Sequence, residues 1–375
     1  YIQHYSAIWG TLLTSDPKTL ALQPWLLESW EEVEVGLHYI LHARKNVNWQ
    51  NVAPTNGRAW DAEDVAYNMK YAGGLLNFDQ PGQIARSSWY RGLESATPID
   101  ATTVEVKLSN PNAAIMAATA DMRQRCYPKE IPTSMPFTDY AKFPSVGPFT
   151  TQEYRDNETA AYVRNPNYWG SPRPYVDKTT INWYGDVASL VSALLSGAVD
   201  MGRINSQTDR AALSKAGSPV TTYKESYRAH SLIFINVQKV PDPRVWKAMQ
   251  YAFDIKKAND AYYGPGYWDY SGPLNRVLPG TVPSDQIAQL PGYNPATKDA
   301  DRKAAAAMMQ AAGFPDGSGL STEVYAGAPL SDIVVSFQAD MKQVFPKMQL
   351  KIRLAPDGAS YQRSLQTRAY DTTFY

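Results

Sequence analysis

The chain has 375 residues, of which 44% are hydrophobic and 19% charged; it is long enough for two or three domain-sized units, and the balance excludes a disordered chain. Its 36 Lys and Arg match 36 Asp and Glu, so there is no basic excess to hold a nucleic-acid backbone or an anionic membrane. The single cysteine, Cys126, excludes an intrachain disulfide and a cysteine zinc cluster, and no apolar run reaches bilayer length.

The first thirty residues are mixed, with a helix-like apolar start from Ile8 to Leu13 and a turn at Ser15-Asp-Pro17. Leu37, Tyr39, Leu41 and Ala43 alternate with His38, Ile40 and His42, the pattern of a strand with two usable faces. After Trp60, Asp61 suits a helix N-cap and Asp64 follows three residues on, as in a capping box. Val65, Met69 and Ala72 would face inward, and Gly73-Gly74 would end the helix. Thr103 to Leu108 alternates as a strand and stops at Asn110-Pro111. The Pro-, Ser- and Gly-rich stretch from Pro128 to Pro148 reads as a subdomain exit. Phe149 to Tyr154 and Thr159 to Arg164 flank Asp156-Asn157, a hairpin signal.

Thr180 to Tyr184, Val187 to Leu195 and Ala198 to Ile204 read as strand, helix, strand. Asp186 is the N-cap; Val187, Leu190, Val191, Leu194 and Leu195 share a face; Gly197 takes the left-handed place past the end. Arg203 to Gly217 holds a short helix, and Tyr223 to Val237 an extended apolar run. Asp242 and Pro243 start a helix whose buried stripe is Val245, Ala248, Met249, Ala252 and Phe253. Gly264 to Pro295 is long and irregular, the kind of segment that is functional or wraps a surface. A helix from Asp299 to Ala312 turns Ala305, Met308, Met309 and Ala312 inward. Strands at Glu323–Tyr325 and Leu350–Leu354 flank a helix from about Leu330 to Val344.

Catalytic and metal chemistry find little footing. His38 and His42 share a strand face but stand about 13 Å apart, too far for one ion. No metalloprotease, nucleophile-elbow or phosphate-loop motif occurs. Helix-start electrostatics account for Asp61, Glu63 and Asp64. Cys126 stands near Arg123 and Arg125, which could lower its pKa, but a lone cysteine is more often packed. The 10 Trp, 25 Tyr and 10 Phe offer broad faces for stacking on ligands, although packing explains most of them. No enzyme activity, metal or cofactor is expected.

Five segments resemble, in order, the extracytoplasmic solute-binding proteins of peptide- and nickel-type ABC importers (family 5, the dipeptide- and oligopeptide-binding group). They are Glu28-Ser-Trp30 with Asp61-Ala-Glu-Asp-Val65; Tyr162-Val-Arg-Asn-Pro-Asn-Tyr-Trp169; the helix ending Ser196-Gly-Ala-Val-Asp200; Phe234-Ile-Asn-Val237 with Asp242-Pro-Arg-Val-Trp-Lys-Ala248; and Tyr293-Asn-Pro295 before a helix ending Ala312-Gly-Phe-Pro315. The resemblance implies an α/β, two-lobed periplasmic-binding-protein-like fold with an inserted subdomain. Residues 1–28 would begin the first lobe, 29–145 form the subdomain, 146–235 continue the first lobe and 236–375 form an incomplete second lobe, with the crossover at Asn236–Pro241. The family's opening strand and its return segment are expected outside Tyr1 and Tyr375, so the chain reads as incomplete at both ends.

The implied function is capture of a peptide or similar small solute in an interlobe cleft, and delivery to the permease subunits of the importer. The place would be periplasmic or otherwise extracytoplasmic, with the membrane reached only through a lipid anchor or the permease, and with no nucleic-acid partner. Tyr5, Trp9, Tyr227, Arg228, Asn236, Tyr267 and Trp268 are the candidate ligand contacts. Core packing for Trp9 and hinge-backbone bonding for Asn236 stay open, and Arg244 reads as serving its own helix. In peptide-binding relatives an acidic residue follows a stretch resembling Ala369 to Tyr375; Asp371 is no substitute for it. The rival readings are an oligosaccharide receptor of the same family, a cleft hydrolase, and a sensor built on the same lobes.

Overall fold

Helix caps and strand alternation fix most boundaries in the computed structural model of the protein, which describes residues 9–76, 87–131, 144–155, 158–215, 218–223, 233–270, 281–327 and 330–374. The chain divides into two compact units, Tyr1–Tyr184 and Gly185–Tyr375.

In the first unit β1 (Leu13–Ser15) and β2 (Leu22–Pro24) pair antiparallel. The helix-like reading of Ile8 to Leu13 fails over its described part: residues 9–12 are irregular and Leu13 opens β1. The run is apolar because an extended segment is covered on both sides. Leu12 and Leu13 are both buried, and the Leu12 carbonyl accepts from Leu27 N at 2.8 Å, a bond between segments that a helix would have kept internal. Next come β3 (Leu27–Glu34), β4 (His38–Ala43), α1 (Ala62–Gly73), β5 (Leu93–Pro98) and β6 (Thr103–Leu108). The strands form one antiparallel sheet in the order β3-β4-β6-β5. Tyr39, Leu41 and Ala43 face its core, while His38 and His42 sit on the other face beside Glu105 (3.1 Å) and Glu31 (3.3 Å).

The capping box is present. Asp61 accepts from Asp64 N at 3.0 Å, Asp64 accepts from Asp61 N at 3.3 Å, and Gly74 closes α1 at φ +74°. Asp64 has a second role that the spacing hid. Its side chain is 0% exposed and is held by both Arg58 terminal nitrogens, at 2.6 and 2.7 Å, and by Trp49 Nε1 at 2.9 Å. The same guanidinium grips Glu130, and Lys129 reaches Asp61 at 2.9 Å. This network ties the start of α1 to a segment some seventy residues on. Beyond it, β7 (Phe149–Arg155), β8 (Thr159–Arg164) and β9 (Lys178–Asn182) form an antiparallel three-stranded sheet.

In the second unit α2 (Val187–Leu195) starts at Asp186, whose carboxylate accepts from Ser189 N at 2.8 Å, and Gly197 follows at φ +72°. The strand–helix–strand reading holds before α2, where β9 lies and belongs to the β7-β8-β9 sheet, and fails after it, where residues 198–205 form no strand. Gly202 shows why: a Cβ there would meet Leu190 Cδ1 at 2.9 Å and Leu194 Cδ1 at 3.2 Å, so the chain folds back onto α2. The apolar stripe of α2 is also narrower than expected. Val191 and Leu194 pack with Leu213 of α3 (Gln207–Leu213), but Val187 and Leu195 are 45% and 39% exposed.

The main body of this unit carries β10 (Ile233–Ile235), α4 (Pro243–Ala252), α5 (Ile255–Tyr263), α6 (Lys298–Ala311), β11 (Ser321–Ala326), α7 (Ser331–Val344), β12 (Gln349–Leu354), α8 (Gly358–Thr367) and β13 (Thr372–Phe374). The sheet order is β10-β13-β11-β12; β11 runs parallel to β12 and β13, and β10 antiparallel to β13. Its core gathers the expected α4 stripe, Ala305 and Met309 of α6, and Val334, Phe337 and Met341 of α7. The Lys298 amine is buried and donates to the carbonyls of Phe253 (2.9 Å) and Gly292 (2.7 Å), joining the first turn of α6 to the end of α4 and to the returning loop. Among the described residues no helix is long and apolar enough to cross a membrane.

Replacing Arg58 by Met leaves the Asp64 carboxylate buried without its cation and should cost about 3 kcal/mol in urea unfolding at neutral pH. Arg58 also holds the Glu130 carboxyl below its usual range. That share of stability is complete above the ordinary Glu value and is lost as pH falls through the lowered one. The difference between wild type and R58M should therefore narrow when unfolding is repeated below pH 4.5.

Candidate functional site

Aromatic rings and guanidinium groups meet at several places, Arg44 with Trp169, Arg58 with Trp49 and Arg353 with Tyr325 among them; two of these meetings involve residues expected from the sequence to contact ligand, Trp9 and Tyr267. In the first, the segment before β1 brings Trp9 onto residues 125–127. The Cys126 N–H donates to the Gly10 carbonyl at 2.8 Å, which fixes the two backbones side by side. The Trp9 ring then lies 5.4 Å from Tyr127, and Tyr127 lies 5.3 Å from Tyr71 of α1 in an edge-on arrangement. The Arg125 guanidinium sits 5.5 Å from the Trp9 ring centre and 5.3 Å from that of Tyr127, and its Nε donates to the Tyr127 hydroxyl. Asn68 locks the arrangement: its amide nitrogen donates to Tyr127 O and its amide oxygen accepts from Tyr127 N, at 2.8 and 2.7 Å.

Next to Arg125 is a pocket of about 10 Å³, enough for about one water, lined among others by Asn68, Tyr90, Gln124 and Cys126. Cys126 is buried there, and burial pushes its thiol well above the ordinary value. The neighbouring arginines do not make it a thiolate. Of this cluster the sequence reading singled out Trp9 alone as a ligand contact; Arg125, noted only beside Cys126, is the member it missed.

In the second unit the irregular segment after α5 carries the rings. Trp268 donates through Nε1 to Asp260 at 2.7 Å and meets Tyr270 edge-on at 4.9 Å. Tyr270 in turn donates to the Tyr293 carbonyl at 2.9 Å, and burial pushes its phenol up to about 12. Lys256 pairs with Asp260 and holds its carboxyl below the usual range. Tyr267 is 49% exposed, with the Arg210 guanidinium 3.8 Å from its ring centre. Trp268 and Tyr267 are thus neighbours in the chain with different partners, Asp260 and Tyr270 for one and Arg210 for the other.

Asn236 takes the hinge-backbone alternative. It is 7% exposed, its amide nitrogen donates to the carbonyls of Arg368 and Tyr370, both at 3.1 Å, and its amide oxygen accepts from Gln238 N at 3.1 Å. Both amide hydrogens are committed to the chain's own backbone, so the side chain is a staple for the turn before β13. Asp371 is likewise occupied, accepting from Glu323 N at 2.9 Å and pairing with Lys239 at 2.9 Å. Arg244 pairs with Asp242 and caps the Ala311 carbonyl, in keeping with a local role. Tyr5, Tyr227 and Arg228 lie outside the described residues. Among the described residues, no group of three His, Cys, Asp or Glu side chains could hold a metal ion.

The fold is that of the two-lobed α/β periplasmic binding proteins. DppA from Helicobacter pylori, solved with the peptide STSA, superposes with a TM-score of 0.80 at 20% identity, over 100% of this chain and 73% of that one. NikA from Staphylococcus aureus, solved with Ni(L-His)2, gives 0.77 at 16% identity, over 100% and 74%. The sequence profile of the bacterial extracellular solute-binding proteins, family 5 Middle, matches residues 21–375, and the chain belongs to that family. Similar relatives include heme-binding protein A of Haemophilus influenzae, 26% identical over 83% of this chain and 57% of its own length. The nickel-binding periplasmic protein of Escherichia coli is 28% identical over 86% and 61%, and the dipeptide-binding protein of the same organism 24% over 80% and 56%. The chain therefore spans less than two thirds of the length of these relatives.

Removal of the Asn236 staple leaves the carbonyls of Arg368 and Tyr370 without their donor. N236A should lose about 2 kcal/mol in urea unfolding, and a solute titrated calorimetrically into the folded variant should bind with unchanged affinity.

Proposed function

We propose that the protein is the solute-binding receptor of an ABC importer and that its solute is a peptide. The family match over residues 21–375 carries the reading. Relatives are named for peptides, nickel and heme. One further observation favours the peptide. The exposed Tyr267 ring stands beside the Arg210 guanidinium, a pairing that stacks on varied side chains while attracting a carboxylate. Within this proposal the Arg125 guanidinium, and Tyr267 with Trp268, face the ligand; Trp9 is 4% exposed and packs in the core behind Arg125. The lobe layout is 1–28, 29–145, 146–235 and 236–375. Capture needs no covalent step, and nothing in either cluster is arranged as a nucleophile with its base. The receptor works outside the cytoplasm and hands its solute to the permease; a lipid anchor would hold it at the membrane.

Isothermal calorimetry with di- to pentapeptides, maltooligosaccharides, heme and a nickel–histidine complex tests this. Peptides should give saturable heat and return chemically unchanged. R125M and W268L should each weaken peptide binding about tenfold. Saturable binding of sugars alone, or steady turnover of any bound compound, would replace this reading with one of its rivals.

A further inference from the structure

The α2–α3 pair has its own small core, built on Val191, Leu194 and Leu213, separate from the core that joins α4, α6 and α7. Under the lobe layout proposed above, α2 and α3 belong to the first lobe, yet in the structure they pack with the second unit. One side chain makes a well-defined polar connection there. Arg210 of α3 donates to the carbonyl of Tyr263, the last residue of α5, and lays its guanidinium 3.8 Å from the Tyr267 ring centre. Its other terminal nitrogen donates to Asn205 O at 2.5 Å, so the fork is anchored on its own side as well.

The physics of the contact is favourable for three reasons. The C-terminus of α5 presents carbonyls that lack intrahelical partners and carry the negative end of the helix dipole, where a cation is stabilised. The ring face adds cation–π attraction. Gly264 makes room: it sits at φ +85°, and a Cβ there would come within 3.1 Å of both Arg210 Nη2 and Gln207 Oε1. Only a glycine lets α3 approach this closely.

We propose that Arg210 is a latch between the lobes. By gripping the end of α5 and the Tyr267 ring, it holds the α2–α3 part of the first lobe against the second in the closed arrangement, and opening requires its release. The contact is polar and small, so it can break and re-form without unpacking either core, as a conformational switch requires. The inference rests on the lobe boundary proposed above and adds to it the residue that biases closure. Because the latch uses only the chain's own groups, it favours the closed form whether or not solute is bound and slows both entry and escape.

The test needs no solute. Spin labels at the exposed Ser192 on α2 and Lys303 on α6, in a C126S background, report their separation by pulsed electron resonance in the full chain. Wild type should give one narrow distance. R210A should add a longer-distance population, raising the open fraction about tenfold. R244A, which removes a contact internal to one lobe, should match wild type. If R210A does not fold, R210K and Y267L should shift the distribution the same way. A broad distribution already present in wild type and unchanged by R210A overturns the latch while leaving the lobe boundary standing. A narrow distribution in both overturns the latch and the boundary together. Neither result touches the calorimetric test of the receptor.

Discussion

Irregular backbone can be buried only where side chains take over the hydrogen bonds that helices and sheets would otherwise make. That constraint governs this molecule, because so much of its chain is neither. Gln50 donates to Phe149 O at 2.9 Å and accepts from Ser145 N at 3.1 Å, stitching two distant segments of the first unit. Asn165 donates to Gly147 O at 3.0 Å, Asn68 brackets Tyr127, Asn236 holds the turn before β13, and Lys298 closes the loop that returns to α6. Each is a buried or nearly buried polar group paired with main chain. Replacing any of them leaves unpaired peptide groups in the interior, at roughly 1–3 kcal/mol apiece. The aromatic clusters depend on the same stitching, since Asn68 fixes Tyr127 under Trp9 and the Tyr270 hydroxyl ties its own segment to Tyr293.

Local signals were legible where one segment decides its own fate. Asp61, Asp186 and Asp242 each accept from a backbone N–H at the start of the helix read from them, and the alternation of Tyr39, Leu41 and Ala43 gave the right face of β4. The strands β11 and β12 on either side of α7 were also readable, and the structure pairs them parallel. What failed depended on distant partners. Leu12 and Leu13 looked helical because a short apolar run cannot be told apart by period alone, and pairing with β2 settles it. The stretch after Gly197 looked like a strand, but Gly202 turns it back onto Leu190 and Leu194. The helix α8 starts at Asp357, whose cap on Ser360 is a local signal that the reading passed over. The strand β13 is three residues long, and no periodicity can be read from so few.

Trp9, Tyr267 and Trp268 do lie where rings and charges converge, since bulky rings with a polar edge gather near fixed charges. Asn236 was chosen for its place in the chain, and its amide serves the backbone instead. Arg125 and Arg210 carried no local signal of their contacts. Their partners are carbonyls and rings supplied by residues that sequence distance conceals: Trp9 for one, Tyr263 and Tyr267 for the other.

The strand order of the second unit has a temporal side. Among the described residues strand β10 pairs with β13, and this partner lies about 140 residues further along the chain, a loop whose closure entropy must be met before the pairing gives anything back. At the ribosome's pace of about 5–20 residues per second, Ile233 waits on the order of ten seconds for Phe374 to be made. Until then β11 also lacks its β13 neighbour, so residues Thr372–Phe374 decide when this sheet can close.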